Sequence, residues 1–358
     1  MREQPYRIGV IPGDGIGPDV TSEALKVLAA AAPVAGMRYE LIEYPWSSAL
    51  YLDDGVLMPE TALEEYRTLD ALFLGALGDP RVERGVIERA VLMTIRLGLD
   101  LYINLRPVQL YSATLTPLKN VEPSDVDMVV VRENTEDVYV GLGGTMRRGT
   151  PDEIAVAEMV FTRRGVERTL RYAFELAASR RRHLTLVDKA NAIRAQEIWR
   201  RTLEEIAPEY PGVETDAMYV DAAAMFMVTD PSRFDVIVTT NLFGDILTDL
   251  GAAIQGGLGG AASGNLHPGQ VSLFEPIHGS APDIAGKGVA SPVGAVSAMS
   301  MLLDYIGERE AADMIGIAVK ELLSSGRVPS ADARSGLTTE QVGTMIADEV
   351  RQMAASPD

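Results

Sequence analysis

Short runs of aliphatic and β-branched residues alternate along this chain with longer amphipathic stretches. The runs that predict buried strands are Arg7–Ile11, Ala71–Gly75, Asp127–Val131, Leu184–Val187 and Phe234–Thr239. The stretches with helical periodicity are Pro18–Ala31, Arg164–Ala178, Ala190–Ile206, Ile246–Ile254 and Val293–Ile306. Strands that alternate with helices predict an α/β protein with much parallel sheet and helices on both faces.

Three glycine-rich segments interrupt this alternation. Gly141–Thr150 predicts a hairpin or projecting arm, and Gly256–Gly269 predicts a long loop. The segment Ile11–Pro18 reads I-P-G-D-G-I-G-P between a strand and a helix, which is not the G-x-G-x-x-G dinucleotide fingerprint. It predicts a tight strand-to-helix turn and gives no support for a Rossmann fold.

Composition narrows the function classes. With 358 residues and 47% hydrophobic content, the chain is long enough for two domains. Acidic residues outnumber basic ones by 51 to 32, and the net charge of −19 argues against nucleic-acid and anionic-membrane partners. Cysteine is absent, which excludes disulfides and thiolate metal sites. No apolar run has the length of a membrane span or signal peptide, and we expect a cytoplasmic protein.

Two aspartates four residues apart, Asp245 and Asp249, lie in the segment N-L-F-G-D-I-L-T-D. On a helix this spacing projects both carboxylates from one face. Two such oxygen ligands suit Mg²⁺ or Mn²⁺. The alternative is structural, with Asp245 as a helix N-cap and Asp249 as a solvated acid in the first turn.

Further polar segments accompany this pair. They are Arg96 with Asn104–Pro107 (N-L-R-P), Arg132–Tyr139 (R-E-N-T-E-D-V-Y), Asp188–Asn191 (D-K-A-N) and His278–Asp283 (H-G-S-A-P-D). Taken in this order, the segments resemble those of the β-decarboxylating dehydrogenases, which act on 3-isopropylmalate, isocitrate, homoisocitrate, D-malate or tartrate. The resemblance runs from Ile8 to about Ala312.

The resemblance implies a non-Rossmann fold of two α/β domains around a central mixed sheet with flanking helices. The expected boundaries are residues 1–101 with 256–358 for the cofactor-binding domain, and 102–255 for the second, which carries a dimer arm near 140–165. It also implies a homodimer with shared active sites.

The resemblance also implies residue roles in oxidising a 2-hydroxy acid and removing its β-carboxylate. Substrate carboxylates would be bound by Arg96, Arg106 and Arg132, since guanidinium groups match carboxylates. Mg²⁺ or Mn²⁺ would be held by Asp245 and Asp249, with Asp221 of the partner subunit. Lys189, also from the partner, would accept the hydroxyl proton, and Tyr139 would protonate the enol carbon.

The cofactor implied is NAD. Asp283 occupies the position where NAD-dependent members place an acid against the ribose hydroxyls, and a carboxylate there repels a 2′-phosphate. The expected cofactor-binding residues are His278, Gly279, Ser280, Ala281, Asp283, Ser291 and Asn191.

The substrate expected is 3-isopropylmalate, the intermediate of leucine biosynthesis. Ala90, Leu92 and Met93 stand where relatives that bind a third carboxylate carry polar or basic side chains. Leu92 and Met93 would contact the isopropyl group, or would simply pack the core. Two alternatives remain at this stage: a D-malate/tartrate enzyme or a paralogue for another 2-alkylmalate, and a non-catalytic regulatory subunit. Regulatory subunits typically lack the lysine, tyrosine or aspartates that this chain retains.

Overall fold

The computed structural model describes Arg2 and residues 4–355, and only the backbone of residues 354 and 355. In chain order, the strands are β1 (Tyr6–Gly13), β2 (Tyr39–Glu43), β3 (Ala71–Ala76), β4 (Ile103–Gln109), β5 (Asp127–Glu133), β6 (Gly143–Met146), β7 (Ile154–Ala157), β8 (His183–Asp188), β9 (Glu214–Tyr219), β10 (Val236–Thr239), β11 (Ala262–Leu266) and β12 (Leu273–Pro276).

The helices are α1 (Gly17–Ala31), α2 (Ser48–Asp54), α3 (Ala62–Tyr66), α4 (Val86–Glu88), α5 (Thr94–Gly98), α6 (Arg163–Ser179), α7 (Glu197–Ile206), α8 (Val220–Thr229), α9 (Asn241–Gln255), α10 (Val293–Tyr305), α11 (Arg309–Ser324) and α12 (Thr339–Ala355). A π-helical turn, Arg89–Met93, joins α4 to α5. None of the helices in the described residues is both long and apolar enough to cross a membrane.

The chain divides into two compact units. Unit 1 contains the described residues up to Leu101, Gln109–Pro123 and the residues from Ala252 onward. Its strands follow the order β2-β1-β3-β12-β11. The first four run parallel and β11 is antiparallel to β12, so the sheet is mixed. Helix α10 packs on β12 and β11, and α1, α11 and α12 pack with it.

Unit 2 contains Tyr102–Val108 and Ser124–Gly251. Its strands follow the order β4-β5-β10-β8-β9, and β5, β10, β8 and β9 are parallel. The β-branched runs of β5, β8 and β10 are buried, as expected for strands covered on both faces. The carboxyl ends of parallel strands meet at one edge, so β5, β8, β9 and β10 deliver the residues that follow them to the same side of the sheet.

The glycine-rich segment after Val140 forms a two-stranded antiparallel hairpin. Gly143 pairs with Ala157 and Met146 with Ile154. All eight residues of β6 and β7 are exposed.

Three predicted elements differ from the structure. Helix α7 begins at Glu197 rather than Ala190, because the carbonyl of Lys189 accepts the amides of Ala192 and Ile193 in a turn. Helix α9 begins at Asn241, five residues before the prediction. The predicted loop Gly256–Gly269 contains β11, all of whose residues are buried.

Candidate active site

Helix α9 presents the two aspartates of the N-L-F-G-D motif. Because α9 begins at Asn241, Asp245 lies beyond the first four residues of the helix and Asp249 lies one turn later on the same face. The N-cap interpretation of Asp245 is therefore wrong. Asp249 is exposed and has no hydrogen bond or ion pair within the described chain. Partial burial and the charge of Asp245 raise the pKa of Asp249.

Asp245 is surrounded by donors. Its carboxylate forms an ion pair with Arg132, lies 3.6 Å from a nitrogen of Arg106, and accepts a 3.0 Å hydrogen bond from the Tyr139 hydroxyl. Burial opposes ionisation of Asp245, but the two guanidinium charges outweigh it and lower the pKa of this carboxyl. Asp245 is therefore anionic at neutral pH.

Arg132 lies at the carboxyl end of β5 and is only 1% exposed. The Nε and Nη2 of Arg132 donate hydrogen bonds to Asn241 Oδ1, at 2.9 Å and 2.7 Å. The aliphatic stem of Arg132 passes over Gly244, where an added Cβ would lie 2.4 Å from Arg132 Cγ. The first turns of α9 thus both hold the guanidinium and leave room for its stem.

Arg106 on β4 is also buried. Its Nε donates to Asn104 Oδ1 at 2.6 Å, and its Nη1 donates to Thr248 Oγ1 at 2.5 Å. Arg106, Arg132 and Tyr139 therefore converge on Asp245. The structure therefore brings together four of the residues that the motif resemblance implies for the site.

Lys189 and Asp221 form a second cluster in unit 2. Lys189 directly follows β8, Asp221 lies in the first turn of α8, and Lys189 Nζ donates to Asp221 Oδ1 at 2.5 Å. This hydrogen bond lowers the pKa of Asp221. Buried Asp188 accepts from Arg200 Nε at 2.6 Å and fixes the chain immediately before Lys189.

In unit 1, Arg96 is 7% exposed and its Nη2 donates to Glu275 Oε1 at 3.0 Å. Its Nε is buried without a hydrogen-bond partner, so it retains a donor for an anion. Leu92 and Met93, both partly buried, lie in the π-helical turn, where the amide and hydroxyl of Thr94 bond the Arg89 carbonyl. Leu92 packs against the apolar core of unit 1. The π turn breaks the 3.6-residue period, so spacing from Arg96 does not define a common helical face.

The glycine motif after β1 supports the H-G-S-A-P-D loop. The amide of Ile16 donates to the Ser280 carbonyl at 2.9 Å. Gly15 has φ +59°, and a Cβ there would lie 2.0 Å from that oxygen. Asp14 accepts hydrogen bonds from the amides of Ser48 and Gly78. The motif is a structural turn, as predicted.

The same loop lines a cleft of about 450 Å³ in unit 1, with Gly279, Ser280, Ala281 and Pro282 on one side and residues 77–88 on the other. His278 Nε2 is buried without a partner, and burial lowers the pKa of this imidazole. Asp283 is exposed, and Ser291 is buried with its hydroxyl accepting from the Val293 amide. Asn191, in unit 2, is exposed.

Comparison with known sequences assigns the family. The sequence model of the isocitrate/isopropylmalate dehydrogenase family matches residues 7–346. The chain belongs to this family. It is an enzyme of the β-decarboxylating dehydrogenase class.

Relatives match over nearly their whole length. A 3-isopropylmalate dehydrogenase of Thermobifida fusca is 50% identical over 356 residues, covering 98% of this chain and 99% of its own. One from Corynebacterium kroppenstedtii is 48% identical, covering 96% and 99%. Among solved structures, isocitrate dehydrogenase from Methylococcus capsulatus is 39% identical with a TM-score of 0.87, covering 97% of this chain and 100% of its own.

The three aspartates expected to bind a metal do not lie together in the part of the chain that the structure describes. Among the described residues, no group of three or more His, Cys, Asp or Glu side chains is arranged to hold an ion. Asp245 and Asp249 offer two oxygen ligands on one helix face, and Asp249 is unpaired. These donors fit a hard divalent cation whose remaining ligands come from elsewhere.

Several residues that build the site were missed as functional by sequence reasoning. Asn241 and Asn104 orient the buried arginines, and Glu275 pairs with Arg96. Asn241 and Asn104 lie inside the motifs that signalled the site. Glu275 stands three residues before His278, and nothing in the sequence pairs it with a residue 179 positions away.

Proposed function

We propose that this enzyme oxidises 3-isopropylmalate with NAD and releases CO₂, giving 2-oxoisocaproate and NADH. The observation that carries the proposal is the convergence of two buried arginines and a tyrosine on Asp245 at the carboxyl edge of the unit 2 sheet. A site of this kind suits an anionic hydroxy acid. The near-complete match to relatives named 3-isopropylmalate dehydrogenase supports the substrate.

The arginines would bind the substrate carboxylates. Arg106 and Arg132 are held by neutral side chains, Asn104, Thr248 and Asn241, as well as by Asp245. Rotamers fixed in this way reduce the entropy lost on binding, so the guanidinium groups are preorganised for a dianion. Arg96 of unit 1 is the third arginine that the motif resemblance implies, and its Nε is buried without a hydrogen-bond partner.

Asp245 and Asp249 would hold Mg²⁺ or Mn²⁺ together with Asp221 of the partner subunit. When bound, the ion supplies Lewis-acid stabilisation of negative charge on substrate oxygens. The absence of a three-acid group within the described part of one chain supports a site completed by a second copy.

Two residues would move protons. The partner's Lys189 would accept the hydroxyl proton while the hydride leaves C2 for NAD. The bond from C3 to the β-carboxylate then breaks, CO₂ departs and the electron pair remains as an enolate. The Tyr139 hydroxyl would donate a proton to C3.

A homodimer would bring these groups together. Lys189 contacts Asp221, Tyr219 and Gln196 in its own chain, and not Asp245. Apolar side chains are exposed on the hairpin and on α8 and α9 of unit 2: Leu142, Met146, Ile154, Val156, Met225, Val228 and Ile246. A second copy of this surface would bury them.

NAD would bind in unit 1 at the His278–Asp283 loop. The volume of the adjoining cleft, about 450 Å³, is within the range of small-molecule sites. Buried His278 Nε2 and the exposed Asp283 carboxylate offer polar contacts for ribose and amide groups. His278 and Gly279 to Ala281 would line the site, with Ser291 as a further contact in the same unit. For Asn191 the motif resemblance is the only support.

The substrate assignment rests on the π-helical turn. Ala90, Leu92 and Met93 offer no hydrogen bond to a third carboxylate, and a buried unpaired carboxylate costs several kcal/mol. Losing the isopropyl contact instead costs about 1–3 kcal/mol. The expected order of kcat/KM is therefore 3-isopropylmalate, D-malate, isocitrate.

The test is a steady-state assay of NADH formation with these three substrates and tartrate, in a buffer of neutral pH and physiological ionic strength that contains Mg²⁺ or Mn²⁺. Arg89→Ala is the matched variant, because Arg89 is the one basic side chain within that turn. It should keep most of the activity on 3-isopropylmalate. The proposed function would be contradicted if isocitrate were the best substrate of the wild-type enzyme and the Arg89→Ala variant lost activity on it.

A further inference from the structure

Asp137 has an unusual backbone and environment. Its side chain is fully buried, and its backbone has φ +69° and ψ −146°. Six non-glycine residues in the described chain have positive φ, and Asp137 is the buried one among them. An L-residue is strained in this region, and a buried carboxylate needs hydrogen bonds. Contacts specific to aspartate must therefore offset both costs.

Those contacts join two elements of the proposed active site. Asp137 Oδ1 accepts the Val138 amide at 2.9 Å, and Val138 begins the single turn that carries Tyr139. Asp137 Oδ2 accepts the Leu242 amide at 2.9 Å, in the first turn of α9. Amides in the first turn of a helix lack intrahelical acceptors, and an anion there is favoured by the helix dipole.

The connection closes into a ring. From Asp137 the chain reaches Tyr139, whose hydroxyl donates to Asp245 on α9. The hydrogen bond from the Leu242 amide to Asp137 Oδ2 connects α9 back to Asp137 and closes the ring. Beside it, Asn241 Nδ2 donates to the Glu136 carbonyl at 3.1 Å. The Asp137 amide also donates to the Val160 carbonyl at 2.8 Å, at the base of the hairpin.

We propose that Asp137 is a positioning residue, which fixes the Tyr139 hydroxyl and the aspartates of α9 relative to each other. The inference rests on the proposed function for the roles of Tyr139, Asp245 and Asp249. Both carboxylate oxygens are needed, because each accepts a backbone amide. Asparagine offers one acceptor and would turn its NH₂ group toward an N–H donor.

The experiment compares Asp137→Asn, Asp137→Gly and Asp235→Asn in the full-length enzyme. Asp137→Gly removes the carboxylate but relieves the left-handed backbone strain, so it is the variant that folds if asparagine does not. Asp235→Asn is the matched control. Asp235 is equally buried in unit 2 and accepts from Arg180 and the His183 amide, but it precedes β10 at the opposite edge of the sheet.

Four quantities are measured: the melting temperature, the Mn²⁺ affinity from the electron paramagnetic resonance signal of the free ion, kcat, and KM for NAD. Both Asp137 variants should lose at least tenfold in kcat and threefold in Mn²⁺ affinity, with KM for NAD unchanged. Asp235→Asn should lower the melting temperature and leave Mn²⁺ affinity and kcat near wild type.

Wild-type kcat and Mn²⁺ affinity in folded Asp137→Gly would overturn the inference, as would equal losses in Asp235→Asn. If the wild-type enzyme binds Mn²⁺ but does not oxidise 3-isopropylmalate, the proposed function fails while the Mn²⁺ comparison still decides the role of Asp137. A wild-type enzyme that binds no Mn²⁺ would overturn both.

Discussion

Replacing Gly244 with alanine should lower the catalytic efficiency of the enzyme while leaving it folded. The new Cβ would lie 2.4, 2.6 and 2.9 Å from Arg132 Cγ, Cβ and Cδ. Real Cβ atoms do not approach other carbons this closely. Arg132 is buried and its guanidinium is held by Asn241 and Asp245, so its stem has no free direction in which to move.

The change in stability follows from two opposing effects, helix propensity and overpacking. Alanine is favoured over glycine in a helix interior by about 1 kcal/mol. Overpacking of a filled site costs roughly 1–3 kcal/mol. The net loss of stability should be at most about 2 kcal/mol. Displacing Arg132 would remove its proposed charge-assisted contact to substrate, worth roughly 1.5–3 kcal/mol, so kcat/KM should fall about 10- to 150-fold.

The assay is kcat/KM for 3-isopropylmalate beside a thermal melt. Gly316→Ala is the control, because Gly316 lies inside helix α11 and nothing lies within 4 Å of its added Cβ. That variant should be slightly more stable and fully active. A Gly244→Ala enzyme with wild-type kcat/KM would refute the argument that Arg132 must occupy this position.

Four further outcomes are expected. Asp249→Asn should raise the Mg²⁺ requirement steeply and lower kcat by orders of magnitude; full activity of wild type in EDTA would contradict this. Inactive Lys189→Met and Tyr139→Phe homodimers should regain activity when their subunits are exchanged, and exchange without recovery would exclude shared sites. Replacing Asp283–Ile284 with Lys-Tyr should shift preference toward NADP at least tenfold, about 1.4 kcal/mol, and equal use of both cofactors by wild type would refute the role of Asp283. Burial raises the pKa of Glu133 from 4.5 to about 7. The folded state therefore retains a proton that the unfolded chain releases, and stability should fall by roughly 3 kcal/mol between pH 4.5 and 7. Denaturant unfolding at a series of pH values should show that the free energy of unfolding depends less on pH in Glu133→Gln than in wild type.

Periodicity predicted the elements that are buried or strongly amphipathic. Strand β10 consists entirely of β-branched residues, β5 contains three consecutive valines, and helix α6 has its buried residues at helical spacing on one face. Prediction failed where specific side-chain and turn hydrogen bonds override the hydrophobic pattern. The residues after Lys189 have helical periodicity, but Gln196 Oε1 accepts the Lys189 amide and helps hold the chain in a turn. The buried strand β11 was hidden by its glycine and polar residues, A-S-G-N-L.

The residues proposed for chemistry were found through motifs, while the residues that orient them were not. Thr248 illustrates the reason. Its hydroxyl accepts from Arg106, 142 positions away, and no local pattern distinguishes it from any other helical threonine. The π turn at Arg89–Met93 was equally hidden, because its sequence R-A-V-L-M is compatible with an ordinary helix. Long-range partners and small changes of helical register are properties of the fold, which a single sequence does not display.

The free-energy cost of burying an unpaired guanidinium explains why the R-E-N-T-E-D and N-L-F-G-D motifs occur together. A guanidinium as buried as that of Arg132 is unstable without hydrogen-bond acceptors. Asn241 and Asp245, 109 and 113 residues further along, provide them. Gly244, between them, leaves room for the arginine stem, and α9 must begin at Asn241 for both acceptors to face it. Without the N-L-F-G-D motif, the buried guanidinium of Arg132 would lack these acceptors. Their joint presence is therefore a stronger signature of this site than the length of either motif suggests.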